Sequence, residues 1–228
     1  MPFRPHDLLW LRGAGALRTD VPLPVWAADQ LRQSDDPVVV RRALAAGPGC
    51  VAVGLRGATR GERLAAQVAA DDVVRVVTPE EIACRRAWRR LPWAGGGAAR
   101  PLPQSVAALR LLERVAPLLD ASPLAWGVTG GVGYALASGR DVLRPASDLD
   151  LLLRAPSSSD AAALRALAAA LHGLVAPESR LDVQVETPLG AFALAEWSRG
   201  GDQRLLLKTP AGPRLVADPR GDPPRRAP

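Results

Sequence analysis

Cysteine, lysine and aromatic side chains are scarce in this chain, and each shortage narrows what it can be. Cys50 and Cys84 are the only cysteines, without a Cys-x-x-Cys pair or a companion histidine cluster. That excludes a zinc ribbon or a disulfide framework and makes a reducing cytoplasm the expected compartment. Aromatic residues are 4% of the 228 positions, too few for the stacking platform of a single-strand nucleic-acid binder. Long apolar runs are also missing. The most hydrophobic helix candidate, residues 160–175, is interrupted by Arg165 and His172 and is too short to span a bilayer. The segment Met1-Pro2-Phe3-Arg4-Pro5-His6-Asp7 has no apolar stretch of the secretory type, so a soluble intracellular protein is expected. Among 29 lysine and arginine residues only Lys208 is lysine. The net charge of +6 fits an anionic substrate or partner, but the arginine bias, with abundant Ala, Gly and Pro, reads as the coding bias of a GC-rich bacterial genome. Basicity therefore does not argue for nucleic acid.

What is present divides the chain in two. Val38–Arg41, Cys50–Leu55 and Val73–Val77 are apolar or β-branched runs bounded by Gly, Pro or charge, and read as strands. Between them Glu62–Ala70 reads as a helix following the turn Gly57-Ala58-Thr59-Arg60-Gly61. Thr78-Pro79-Glu80-Glu81 is a helix start, with Thr at the cap, Pro in the first turn and Glu three residues beyond the cap. Residues 91–103, with Gly95-Gly96-Gly97 and three prolines, propagate neither helix nor strand and are expected to be a linker between an N-terminal α/β domain (1–90) and a second domain (104–218). In the second domain residues 105–119 repeat apolar side chains at helical spacing (Val106, Leu109, Leu112, Val115, Leu118). An Ala- and Leu-rich helix is expected after Ser159 or Asp160. Arg180–Glu186 alternates strictly, Leu181, Val183 and Val185 on one face and Asp182, Gln184 and Glu186 on the other. Leu205–Lys208 and Arg214–Val216 flank a hairpin turn, and the Pro/Arg-rich tail (219–228) is expected to be disordered.

The chemistry concentrates in two segments of the second domain: Trp126-Gly127-Val128-Thr129-Gly130-Gly131-Val132-Gly133 and Ser147-Asp148-Leu149-Asp150-Leu151-Leu152-Leu153. Alternate strand residues share a face, so Asp148 and Asp150 project together while Leu149 turns inward. Adjacent carboxylates repel, and a divalent cation, Mg²⁺ or Mn²⁺, bridging to phosphates is the usual compensation. Gly130, Gly131 and Gly133 would let backbone N–H groups approach a phosphate at a helix N-terminus, with Thr129 adding a hydroxyl. Glycines before a helix, followed by Asp-x-Asp opening a Leu-rich strand, form the motif order of the nucleotidyltransferase fold. Asp182, on the polar face of a neighbouring strand, is the candidate third metal ligand or general base. Arg56, Arg60 and Arg63 cluster at a strand-end turn, and Lys208 and Arg204 near the hairpin. Either set could meet a triphosphate or an acidic protein partner, or form a solvated basic surface. His6-Asp7 reads as a pair that orients the N-terminal segment, and Trp10, Trp126 and Trp197 as packing residues, Trp126 lying beside the phosphate loop.

Taken together, Arg4-Pro5-His6-Asp7-Leu8-Leu9-Trp10-Leu11, Val53-Gly54-Leu55-Arg56-Gly57 with Arg60 and Arg63, the Trp126–Gly133 loop, the Ser147–Pro156 strand and the stretch Asp182–Trp197 resemble the malonate decarboxylase holo-acyl-carrier-protein synthases, also called phosphoribosyl-dephospho-CoA transferases. The resemblance runs from about residue 4 to 219. It implies an α/β (α+β) protein of two domains, the second a nucleotidyltransferase-like mixed sheet with flanking helices and catalytic aspartates at Asp148 and Asp150. It also implies transfer of the phosphoribosyl-dephospho-CoA group from 2'-(5-triphosphoribosyl)-3'-dephospho-CoA to a serine of the apo acyl-carrier subunit of malonate decarboxylase, with release of diphosphate. The loop departs from the family in reading Gly130-Gly131 where Gly-Ser is frequent. A nucleotidyltransferase acting on another protein or a small molecule is the alternative that the same loop and carboxylates would serve.

Overall fold

The computed structural model describes residues 3–33, 36–57, 59, 61–86, 88, 107–156, 160–174, 180–200 and 204–221. The expected linker at 91–103 and the tail residues 222–228 lie outside the described residues. The chain forms two compact units that divide between Thr78 and Pro79.

The first unit is a six-stranded antiparallel sheet in the order β2-β5-β4-β3-β1-β6. Its strands are β1 (Leu8–Leu11), β2 (Leu17–Arg18), β3 (Val38–Val40), β4 (Cys50–Arg56), β5 (Arg63–Ala69) and β6 (Val73–Val77), with helix α1 (Val25–Gln33) against it. Leu9, Val38, Val40, Val53, Leu55, Leu64, Ala66 and Val68 make the core, closed by Ala27 and Trp26 of α1. The helix expected at Glu62–Ala70 is β5 instead. Its Leu64, Ala66 and Val68 are buried at every second position, and it pairs residue for residue with β4 from Arg56↔Arg63 to Cys50↔Ala69. An Ala-rich segment has fair helix propensity, but a waiting strand edge and a period-two apolar set outweigh it. The connecting turn is closed by Gly57 N–H to Glu62 O (2.9 Å) and Thr59 N–H to Glu62 Oε2 (2.8 Å).

The second unit holds the mixed sheet, in the order β12-β11-β10-β9-β8-β7. The strands are β7 (Ala125–Val128), β8 (Leu149–Arg154), β9 (Leu181–Thr187), β10 (Gly190–Ala193), β11 (Leu205–Thr209) and β12 (Gly212–Val216). Only β8 and β9 are parallel, and α5 (Ala161–His172) lies in the crossover between them, as a parallel pair requires. Helix α3 (Ala107–Ala121) presents Ala108, Leu111, Leu112, Val115, Ala116 and Leu119 to the core, and α5 presents Leu164, Leu167 and Leu171. Of the apolar positions read in the sequence for α3, Leu109, Leu112 and Val115 are buried, Leu118 is half-buried and Val106 lies outside the described residues. Helix α6 (Leu194–Ser198) follows β10 directly.

Two findings differ from the sequence reading. Helix α2 (Pro79–Arg85), expected with the first domain, packs on β7 of the second sheet. Gly127 permits this, because a Cβ there would overlap Pro79 and lie 2.7 Å from the Glu80 backbone nitrogen. Arg154 secures the contact through Nε, 2.7 Å from Glu80 Oε1. Gly127→Ala should cost about 1–3 kcal/mol through overpacking, and a thermal melt of the variant checks it: an unchanged midpoint would show that α2 yields freely. Pro219 and Arg220 fall within the tail expected to be disordered, yet Pro219 is buried and the Arg220 guanidinium lies 5.0 Å from the Trp197 ring centroid.

Candidate active site

Strand β7 runs into the site. After Val128 the chain passes through Thr129 in an extended conformation and enters α4 (Gly130–Ser138). Gly130 begins the helix with φ +60°, a left-handed value that side chains rarely adopt. The turn is held to the neighbouring strand by Thr129 N–H donating to the Asp150 carbonyl (3.0 Å), and Gly133 N–H donates to Thr129 O (2.9 Å). Against this backbone lies the Asp150 carboxylate: a Cβ built at Gly130 would overlap Asp150 Oδ2. Gly130 therefore makes room for a carboxylate of this protein. Gly133 serves packing, since a Cβ there would stand 2.5 Å from Val128 O, and Gly131 is open, with only Leu143 Cδ2 at 3.7 Å. Thr129 is buried and its hydroxyl does not cap α4.

Strand β8 carries Asp150, and Asp148 immediately precedes it. Leu149 is 0% exposed, Asp148 is exposed just before the strand, and Asp150 is half-buried. The turn before Asp148 is braced by Arg144 N–H to Ser147 Oγ and Ser147 N–H to Arg144 O, both 2.9 Å. Leu149 N–H donates to Arg180 O (2.9 Å), which starts the pairing with β9. From there the parallel register sets Asp150 opposite Asp182. Directly paired residues share a face, so Asp182 does stand beside Asp150. Its side chain is 54% exposed and 3.9 Å from Arg180 Nη2, a pair too open to contribute much stability. Among the described residues no three carboxylate, imidazole or thiol groups form a metal-binding cluster. Two carboxylates at a strand mouth match the donor set of Mg²⁺, which is generally held by one or two carboxylates and completed by substrate phosphates and water.

The remaining candidates fall in different places. Arg56 and Arg63 are opposed and exposed at the turn end of the β4–β5 hairpin, in the first unit. Arg60 lies outside the described residues. Lys208, on β11, donates from Nζ to Gln184 Oε1 at 3.2 Å, on the sheet that carries the aspartates. Arg204 is exposed immediately before the same strand. The Asp7 carboxylate accepts the Arg4 N–H (2.8 Å) and orients the N-terminal segment as expected. Trp126 is core: its Nε1 donates to Asp120 Oδ1 (3.0 Å), its ring lies 6.5 Å from that of Trp88, and Arg86 sits 5.2 Å from its centroid. Trp10 is buried with the Arg75 guanidinium 4.2 Å from its ring centroid, and Trp197 meets Phe192 at 6.0 Å. Sequence reasoning left the polar members of β9 beyond Asp182 without a role, although the alternation there already put Gln184 and Glu186 on the aspartate face.

Comparison with known proteins gives this geometry its setting, first as a transferase. Residues 4–79 match the family model described as the N-terminal domain of phosphoribosyl-dephospho-CoA transferase MdcG, and residues 97–219 the model of its C-terminal domain. A phosphoribosyl-dephospho-CoA transferase of Pseudomonas putida (strain W619) is 48% identical over 95% of this chain and 94% of its own length. Proteins of the same name from Klebsiella pneumoniae and Azotobacter vinelandii are 45% and 44% identical, over 95% of this chain in each case and 95% and 93% of their own lengths. The chain belongs to the phosphoribosyl-dephospho-CoA transferase family. No solved structure matches it. Among the described residues no helix is long and apolar enough to cross a membrane.

Proposed function

We propose that this protein transfers the phosphoribosyl-dephospho-CoA group from 2'-(5-triphosphoribosyl)-3'-dephospho-CoA to a serine of the apo acyl-carrier subunit of malonate decarboxylase, in the cytoplasm, by nucleotidyltransferase chemistry. The observation that carries the reading is the register of Asp150 against Asp182, with Asp150 seated on the Gly130 turn. Carboxylates and a helix N-terminus meet there at one strand mouth, in a chain that matches the family across both halves.

In this reading the serine Oγ attacks the α-phosphorus of the donor, the new P–O bond forms as the bond to the β-phosphate oxygen breaks, and diphosphate departs. Asp148 and Asp150 would hold Mg²⁺ or Mn²⁺, and Asp182, which does not cluster with them, would have to turn its exposed side chain inward to serve as a third ligand. Bound there, the cation supplies charge neutralisation for the diphosphate and acidifies the attacking hydroxyl. Asp182, exposed beside Asp150, is alternatively placed to take the serine proton. Backbone N–H groups at Gly130 and Gly131 face the start of α4, where the helix dipole favours phosphate. Thr129 adds a hydroxyl donor, and Lys208, on the same sheet, is assigned to the anionic parts of the donor.

Incubating the donor and Mg²⁺ with apo carrier protein, then measuring intact mass and diphosphate, tests the reading. A mass increase on the carrier in step with diphosphate, abolished when the acceptor serine is alanine, is the expected result. Equal modification of both carriers, or nucleotidyl transfer to a small molecule and none to the carrier, would favour the alternative acceptor.

A further inference from the structure

The polar face of the second sheet extends beyond the aspartates. Gln184 and Glu186 follow Asp182 on the same side of β9, and Ala191 of β10 is paired with Glu186 on one side and Lys208 on the other. Lys208 therefore rises from β11 on the aspartate face. The intervening strand presents only the methyl groups of Ala191 and Ala193 on this face, and the lysine reaches across them to Gln184 Oε1. Gln184 is itself oriented: its Nε2 donates to Glu186 Oε1 at 2.9 Å, and Glu186 is 7% exposed. One amide thus turns its donor toward a buried carboxylate and its acceptor toward the ammonium. Gln184 stands one strand repeat, about 7 Å, beyond Asp182, so the tethered cation lies on the aspartate-bearing face of the sheet, and an ammonium steered by one amide oxygen keeps further N–H donors for a ligand.

The residue type is informative in this composition. Of the 29 basic residues in this arginine-biased chain only Lys208 is lysine. A guanidinium here would find the Glu186 carboxylate within the same network and favour a bidentate pair with it, withdrawing its donors from a ligand. An ammonium is a compact point charge that one amide oxygen can steer while leaving its other donors exposed.

We propose that Lys208, aimed by Gln184 and Glu186, is the positioning cation for the diphosphate portion of the donor, and that the place requires an ammonium. The proposal takes its substrate from the transfer reading above. Its test does not need turnover. Inorganic diphosphate with Mg²⁺ is titrated calorimetrically into wild type, Lys208→Ala, Lys208→Arg and Gln184→Ala, with a thermal melt of each and, in parallel, kcat and KM for the donor. Lys208 is exposed, so the fold should be retained. Lys208→Ala should bind diphosphate roughly 10- to 100-fold more weakly, the loss expected for one charged hydrogen bond. Its kcat should fall as well, because the contact follows the departing group. Lys208→Arg should not restore the affinity, and Gln184→Ala should show a smaller loss in the same direction. Wild-type affinity in Lys208→Ala or in Lys208→Arg, or no binding by wild type, overturns the proposal. If diphosphate binding depends on Lys208 but no group reaches the carrier, the transfer reading fails and the lysine assignment stands. Transfer without any dependence of diphosphate binding on Lys208 gives the converse.

Discussion

Asp150→Asn should lower transfer to the carrier protein by about two orders of magnitude or more, with Asp148→Asn close behind. The two differ in what else they disturb. Asp148 is exposed at the strand mouth, so its substitution should leave the melting temperature unchanged. Asp150 is half-buried with its carboxylate on Gly130, and a small stability change is expected with the activity loss. Asp182→Asn separates the two roles open to that residue. If Asp182 is a metal ligand, the Mg²⁺ concentration for half-maximal rate rises. If it is the general base, that concentration stays while kcat falls. Near-normal turnover in Asp148→Asn and Asp150→Asn, measured by intact mass of the carrier, would remove the aspartates from the mechanism.

Gly130→Val is expected to be the most damaging change in the loop, for a reason visible only in the folded chain. The residue adopts φ +60°, and its missing Cβ leaves the space that Asp150 Oδ2 fills. A branched side chain there would carry backbone strain of about 1–3 kcal/mol and displace the carboxylate from the helix start. Transfer should drop by roughly a hundredfold or more, in line with loss of Asp150 itself, and Gly130→Ala should fall in the same direction. Gly131→Ser should retain most activity, since a Cβ there meets only Leu143 Cδ2 at 3.7 Å and the serine hydroxyl offers one more donor to the loop. Melting curves and single-turnover rates on the three variants decide the matter. Wild-type rates in Gly130→Val would show that the Gly130–Asp150 contact is dispensable.

Much of the site was legible before any fold because its information is local. Alternation along a strand depends only on the pleat, so Asp150 against Leu149, and Asp182, Gln184 and Glu186 against Val183 and Val185, could be assigned to faces from spacing alone, whereas Asp148 precedes β8 and its direction does not follow from the pleat. The apolar stripes of α3 and α5 follow from helical periodicity, and the β11–β12 hairpin from its Pro-Ala-Gly turn. The start of α2 at Pro79 was equally plain from Thr78 and the glutamates that follow.

Tertiary structure decided whatever depends on which segments meet. Glu62–Ala70 carries both a helix-compatible composition and a period-two apolar set, and the free edge of β4 selected the strand. Asp150 and Asp182 lie in different segments, and a slip of two residues would keep both faces while moving the carboxylates apart; the parallel register beside α5 chose the pairing that sets them together. Gly127 read as part of a phosphate loop, but it is the place where α2 reaches β7, and only that contact shows where α2 belongs. Lys208 read as a basic residue near a hairpin, and its line to Gln184 exists because β10 offers only alanines between them. Periodicity assigns a residue to a face, whereas its neighbours on that face depend on contacts distant in sequence, and these decided the positions of Asp182, Gly130 and Lys208.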